Sequence, residues 1–317
     1  MFEWTPPSSN AEQAARYLIS AATYMHTTFK DEIWLWRGQA DRSFSLTPGM
    51  HGRVMNVKKL KNPDQIVNLA TNHILSIARE SNLDLQGGTR LPDLALLAHL
   101  QHYGAATPLL DVSTDPLIAL WMAAFAGPDE PDRLDHVTGL LYGIRKPPPE
   151  RWIPALDARK FYVEDESKHP SVVDSLRGQV WWYEAPDVTE RLRIQRGSFL
   201  LGPLENTTKG PLTSLPLNEG FGSNWLEARL KKRGQTSNTA RCTSDVFAIK
   251  VRGSLKEPLR KLLEDRSGLS IATVYPTPWN RPLIETFSRG YGRSRRLELD
   301  VNPSFIEDVE NASTNSA

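Results

Sequence analysis

The chain has 317 residues, 39% hydrophobic and 24% charged, a balance that supports a buried core in one elaborated domain or about two smaller ones. Its net charge of +1 excludes whole-molecule attraction to nucleic acid or acidic lipid, leaving only local patches for such contacts. The single cysteine, Cys242, excludes an internal disulfide, no apolar run reaches the roughly 20 residues that span a bilayer, and Met1 to Asn10 lacks the features of a signal peptide; the expected compartment is the cytoplasm, without a membrane partner.

In chain order, the first helix is expected from Ser9, where Ser9 and Glu12 have capping-box spacing. Ala14, Tyr17, Leu18, Ala21 and Met25 then recur at helical intervals. Ile33-Trp34-Leu35-Trp36 reads as a buried strand ending at the polar Arg37-Gly38-Gln39. A second helix starts near Asn62-Pro63, with proline at its first position and Ile66, Ala70, Ile74 and Ile77 on one face. A third starts at Leu91-Pro92-Asp93, turns Leu94, Leu97 and Ala98 inward, and stops at His102-Tyr103-Gly104 with Gly104 as a left-handed stop. Asp115-Pro116 caps a fourth, whose core face carries Leu117, Leu120, Trp121 and Ala124.

The second half reads mainly as strands, at Thr138 to Arg145, Arg191 to Leu201 and Asp245 to Val251. Pro147-Pro148-Pro149 reads as a linker or rigid loop. A last helix follows Ser254, with capping spacing to Glu257, and ends near Gly268; Ser270 to Tyr275 should be a strand closed by Pro276. The Asn-, Ser- and Glu-rich tail after Pro303 is expected to be disordered. This pattern predicts an α/β (α+β) fold with helices packed on a mixed, largely antiparallel sheet. The expected organisation is an N-terminal helix over 1–30, one domain over 31–300 and a tail over 301–317. Within the domain, the motif core spans 33–125 and the strand-rich part 138–300.

Chemistry concentrates in two places. Arg37, at the end of an apolar strand, is costly unless its charge is paired or faces a ligand, and Gly38 permits close approach of backbone to a phosphate or ribose. The alternative is a structural ion pair, with Asp111 as partner. The second place is His102 to Asp115, a polar loop anchored between two apolar helices. There His102 is a candidate acid, base or hydrogen-bond donor, or else a helix-end histidine complementing the dipole. Asp111 follows Leu109-Leu110 and is expected at a strand end; Asp115 reads as an N-cap. His99 and His102 share a helical face, but no third ligand has recognisable spacing, so no metal is expected. The phosphate-loop, dinucleotide-fingerprint, zinc-protease and nucleophile-elbow motifs are absent. Basic clusters at Lys58-Lys59-Leu60-Lys61, Lys231-Lys232-Arg233 and Arg293-Ser294-Arg295-Arg296 read as solvated faces or, together, a polyanion surface. Trp181-Trp182 reads as core or interface.

Trp36-Arg37-Gly38-Gln39 resembles the signature of the FRG (Phe-Arg-Gly) domain, with Trp in place of Phe. Gln101-His102-Tyr103-Gly104, Thr107-Pro108-Leu109-Leu110-Asp111 and Pro116-Leu117-Ile118-Ala119-Leu120-Trp121 resemble that family's second block. A weaker third block lies at Arg193-Ile194-Gln195 to Phe199, and Gly268 to Pro276 resembles the closing region. Pro108 stands where many members carry Arg, and Thr277-Pro278 where an acidic residue is common.

The Arg-Gly at the first strand end looks like the NAD-binding arginine of ADP-ribosyltransferases, an analogy at the level of fold. The resemblance therefore implies an ADP-ribosyltransferase-like enzyme or NAD glycohydrolase, in a bacterial toxin or anti-phage defence setting. NAD would be the substrate, with a protein or nucleic acid among the acceptors. On this reading Arg37 holds a phosphate or the nicotinamide-side ribose, Asp111 stabilises oxocarbenium charge, and His102 bonds ribose or protonates an acceptor. Tyr103 stacks on nicotinamide, and Gly38, Gln39, Thr107, Thr114 and Gln195 complete the substrate contacts. The late-strand glutamate of that fold has only Glu205 and Glu285 as candidates. Against the enzyme stand a non-catalytic binding or regulatory module in a defence assembly and, third, a nucleic-acid-binding protein.

Overall fold

The computed structural model describes residues 3–4, 6, 8–28, 34–55, 63–155, 157, 178–186, 189–203, 215–217 and 245–276. In chain order its helices are α1 (Ala11–Thr28), α2 (Gly49–Met55), α3 (Pro63–Glu80), α4 (Asp93–His102), α5 (Pro116–Ala123), α6 (Glu190–Ile194), α7 (Gly253–Ser267) and α8 (Ile271–Val274). The strands are β1 (Glu3–Trp4), β2 (Trp34–Gln39), β3 (Leu85–Gln86), β4 (Thr89–Arg90), β5 (Leu110–Ser113), β6 (Gly139–Arg145), β7 (Trp152–Ile153), β8 (Trp181–Tyr183), β9 (Gly197–Leu201) and β10 (Val246–Val251). Eight of these make one sheet in the order β1-β10-β6-β2-β5-β9-β8-β7. Only the two outermost pairs, β1 with β10 and β7 with β8, are parallel. The expected class, helices on a mixed and largely antiparallel sheet, is the one observed. None of the described helices is long and apolar enough to cross a membrane.

Strand register sorts the core. Trp36 pairs with Gly143 and Gly38 with Leu141, while Phe247 pairs with Gly143 and Ile249 with Leu141, so these side chains share one face. Helices α1, α5 and α7 cover that face, forming an apolar cluster with Leu18, Met25, Trp121 and Leu259. Beyond β5 the same face carries Phe199, Leu201 and Tyr183, which pack with Leu75, Leu94 and Leu97 of α3 and α4. The opposite face buries Leu35, Val112, Leu200 and Tyr142 beneath the loop residues Leu46 and Leu215. Two helical layers thus sit side by side on one face, and the seam between them runs along β2 and β5.

Ion pairs position α4. Asp84 is fully buried and accepts from Arg79 at 2.9 Å and from Arg90 at 2.8 Å. Arg79 reaches on to Asp93, the first residue of α4. The network ties α3, the β3–β4 hairpin and α4 together. In that hairpin Gly87 and Gly88 have φ of +56° and +83°, the turn geometry that two adjacent positive-φ residues provide.

Several expectations are corrected. Asn10, not Ser9, caps α1: its Oδ1 accepts from the Gln13 amide at 2.9 Å. The first strand does not end at Arg37-Gly38-Gln39 but contains all three, because β6 pairs them through Gln39. Helix α2 was not anticipated. The segment Arg191 to Leu201 is split, since Thr189 accepts from the Leu192 amide and starts α6 before β9 begins. Helix α7 starts at Gly253 with no side-chain cap, so the Ser254–Glu257 box is not formed. Ser270 to Tyr275 is not a strand: Ser270 and Thr273 form a reciprocal capping box that winds α8. After Pro147-Pro148 the chain makes a 3-10 turn at Pro149–Arg151 that leads straight into β7. Helices α3, α4 and α5 start close to their expected positions and α4 stops at its expected end; Asp115 caps α5, and Gly104 and Gly268 have positive φ after α4 and α7. Ile33, Asn62, Glu205, Cys242, Glu285, the three basic clusters and the tail lie outside the described residues.

Candidate functional site

Strands β2 and β5 are neighbours joined by one residue pair, Trp36 with Ser113. Past it the strands part, and Arg37 spans the opening: its Nη1 donates to the Asp111 backbone carbonyl at 2.7 Å. A side chain thereby satisfies an acceptor that a continued ladder would have paired. Gly38 serves the other side of β2. A Cβ there would stand 1.8 Å from the Ala119 carbonyl oxygen and 2.5 Å from the Ala123 amide, so glycine is required for α5 to lie on the strand, rather than to admit a phosphate or ribose.

The Asp111 carboxylate is held from two directions. Gln101 donates through Nε2 to its Oδ1 at 2.5 Å, and the Arg37 Nη1 lies 3.7 Å from Oδ2. The buried Thr107 hydroxyl donates to Gln101 Oε1, which fixes the amide with its NH2 toward Asp111. Thr107 also accepts from the Leu109 amide at 3.2 Å, so it braces the loop between α4 and β5.

Opposite stand groups from α4, α6 and the end of α8. Arg191 donates through Nη1 to the His102 carbonyl at 3.1 Å, and its guanidinium carbon lies 4.2 Å from the Tyr275 ring centroid. Burial, then the Arg191 charge and His99, hold the His102 imidazole well below the usual histidine pKa, so it is neutral at pH 7. Burial raises the Tyr275 phenol. Gln195 docks the Tyr275 segment: its Nε2 donates to the Val274 carbonyl at 2.9 Å, while its own carbonyl accepts from Ser113 Oγ at 2.7 Å. Phe125 meets the Tyr275 ring at 5.4 Å between centroids.

These groups enclose a cavity of about 440 Å3 at the seam, within the range typical of small-ligand sites. Arg37, Gly38, Gln39, His102, Asp111 and Gln195, all singled out from sequence, line it. Tyr103, Thr107 and Thr114 do not. Tyr103 packs edge-on to His99 at 5.3 Å in the α3–α4 layer, Thr107 supports Gln101, and Thr114 is exposed beside the Arg196 carbonyl at 3.5 Å. Sequence reasoning did not single out Gln101, Arg191, Ser198 or Tyr275. Gln101 stands in the quoted Gln-His-Tyr-Gly block, a usable signal; Arg191 was hidden in a stretch read as strand.

The polar wall is under-satisfied. Arg37 Nε, Gln39 Oε1, His102 Nε2, Arg191 Nε and Ser198 Oγ are buried, line the cavity and have no hydrogen-bond partner among the described residues. Gln39 does anchor its other amide atom, Nε2, on the Ser45 carbonyl at 2.9 Å. Buried polar atoms without partners are rare and costly, and their clustering in a cavity points to a ligand. Charge points the same way. Among the described residues the cavity carries Arg37, Arg191 and Arg133 against one carboxylate, Asp111; Arg133 is paired on the rim with Glu130 at 3.1 Å. No group of three or more His, Cys, Asp or Glu side chains among the described residues could hold a metal.

Residues 32–132 match the family model of the FRG domain, the stretch that contains β2, α2 to α5 and β5. The match supports the family indicated by the Trp-Arg-Gly-Gln and Gln-His-Tyr-Gly motifs. No curated protein and no solved structure matches the chain.

Proposed function

We propose that the seam cavity binds NAD and that the protein is an ADP-ribosyltransferase-like enzyme, cleaving the nicotinamide–ribose bond and passing the ADP-ribosyl group to water or to a protein or nucleic-acid acceptor. The observation that carries this reading is the convergence of Arg37, Arg191 and Asp111 with a cluster of unpartnered buried polar atoms in one cavity. Guanidinium forks suit phosphate oxygens, neutral His102 and Gln39 suit ribose hydroxyls, and the Tyr275 and Phe125 rings suit a planar base. As the glycosidic bond breaks, its electron pair leaves with nicotinamide and positive charge develops on the ribose. Asp111, oriented by Gln101, is the carboxylate available to stabilise that charge. The acceptor then supplies the new bond and loses a proton. Loss of NAD or modification of an acceptor suits a bacterial toxin or anti-phage effector.

A second reading has its own support. Asp111 is the single carboxylate among the described cavity residues, and Gln101 and Arg37 already engage it, as a non-catalytic binding module would require. Nicotinamide release from NAD, followed with and without cell extract as a source of acceptor, separates the two. The enzyme reading predicts release by the parent protein and a loss of about a hundredfold in Asp111→Asn, the scale of one preorganised electrostatic contact. NAD binding without release by the parent would favour the module.

A further inference from the structure

We propose that Arg37 and Arg191 form a two-point clamp for a diphosphate group, so that the cavity selects ligands with two linked phosphates over those with one. This deepens the reading of the cavity as a nucleotide site and rests on it for the rest of the ligand. The two guanidiniums come from different elements, β2 and α6, and both line the cavity. Each is anchored through Nη1 to a backbone carbonyl, Arg37 on Asp111 at 2.7 Å and Arg191 on His102 at 3.1 Å. A neutral carbonyl fixes the direction of the fork without cancelling its charge.

Neither arginine has a close carboxylate that would do so. The Asp111 carboxylate is 3.7 Å from Arg37 and more than half exposed, and no ion pair engages Arg191 among the described residues. Each keeps a buried Nε with no partner among those residues, and each retains further donors, since a guanidinium has five. Tyr275 lines the same cavity as both guanidiniums. The Arg191 guanidinium lies over the Tyr275 ring, its carbon 4.2 Å from the centroid, and a guanidinium fork suits a planar, two-oxygen contact. The buried and unpartnered Ser198 Oγ adds a neutral donor to the same cavity.

The test is titration calorimetry of the full chain with inorganic pyrophosphate, inorganic phosphate and NAD, using the parent, Arg191→Ala and Arg191→Lys. The clamp predicts that the parent binds pyrophosphate at least tenfold more tightly than phosphate. Arg191→Ala should lose that preference while still binding phosphate at Arg37. Arg191→Lys, which keeps the charge but not the fork, should retain a few-fold preference at most. Equal affinity of the parent for the two anions, or an unchanged pyrophosphate affinity in Arg191→Lys, overturns the clamp even if Arg191→Ala fails to fold. Pyrophosphate preference without NAD binding would sustain the clamp and defeat the NAD reading. NAD binding indifferent to Arg191 would do the reverse.

Discussion

Arg37 looked from sequence like either half of a buried ion pair or a ligand-binding charge, and its contacts separate those roles. The carboxylate partner is 3.7 Å away and largely in solvent, a geometry worth less than about 1 kcal/mol. The hydrogen bond to the Asp111 carbonyl, exposed and made by a charged donor, adds about 1.5 kcal/mol, the low end for such bonds. Arg37→Ala should therefore cost about 1–2 kcal/mol in urea unfolding, below the 3–5 kcal/mol that follows breaking a buried pair, while ligand binding disappears. A loss of 4 kcal/mol would make Arg37 a structural residue first. Gly38 should behave in the opposite way. With Ala119 O and Ala123 N inside contact distance of any Cβ, Gly38→Ala must push α5 off β2, at a cost of about 3 kcal/mol or more. A thermal melt within a few degrees of the parent would contradict that account.

At the scale of elements, long periodic segments with caps were readable and short ones were not. Helices α3 and α4 announce themselves through apolar faces and proline at the start, and α5 through the Asp115 cap. The β-branched Ile271, Thr273 and Val274 suggested a strand, but in four residues the Ser270–Thr273 box outweighs propensity. The same holds for α6, where one cap on Thr189 turns Arg191 toward the cavity. The candidate site was half legible because its β2, α4 and β5 residues lie in compact motifs. The other wall depends on α6 and α8, which only tertiary packing brings near. The Arg79–Asp84–Arg90 network was equally hidden, since its members are ordinary surface residue types until the hairpin buries Asp84. Asp84→Ala should leave Arg90 without its acceptor and Arg79 with Asp93 and the Leu91 carbonyl only, and cost about 3 kcal/mol in chemical unfolding. Because α4 carries Gln101 and His102, ligand binding should weaken with it. An unchanged unfolding midpoint would show that the network is solvent-compensated.

For the molecule as a whole, His51 and His102, both with lowered pKa values, shape the response to acid. Burial lowers His51 to about 4 and holds His102 well below its usual value. Both are neutral when folded, and in the unfolded chain both take up a proton near pH 6.5. Their folded pKa values are depressed, so stability is full above pH 6.5 and is lost as pH falls toward the folded values. For His51 the loss is on the order of 3 kcal/mol by about pH 4. Urea unfolding of His51→Leu at pH 7 and pH 4.5 should show a visibly smaller pH dependence than the parent; equal slopes would mean that His51 finds a proton-stabilising partner.

The same whole-molecule view places the cavity where two helical layers meet over a parted sheet, a position that concentrates donors while the apolar clusters on either side keep it fixed. Calorimetric titration of NAD into the parent and Arg37→Ala tests the proposed NAD site in this seam most directly. An NAD site in the seam predicts one saturable site on the parent, with a Kd of roughly 1 mM or tighter, weakened at least tenfold in Arg37→Ala at nearly unchanged thermal stability. No heat of binding to the parent at millimolar NAD, or equal binding by both proteins, would contradict it.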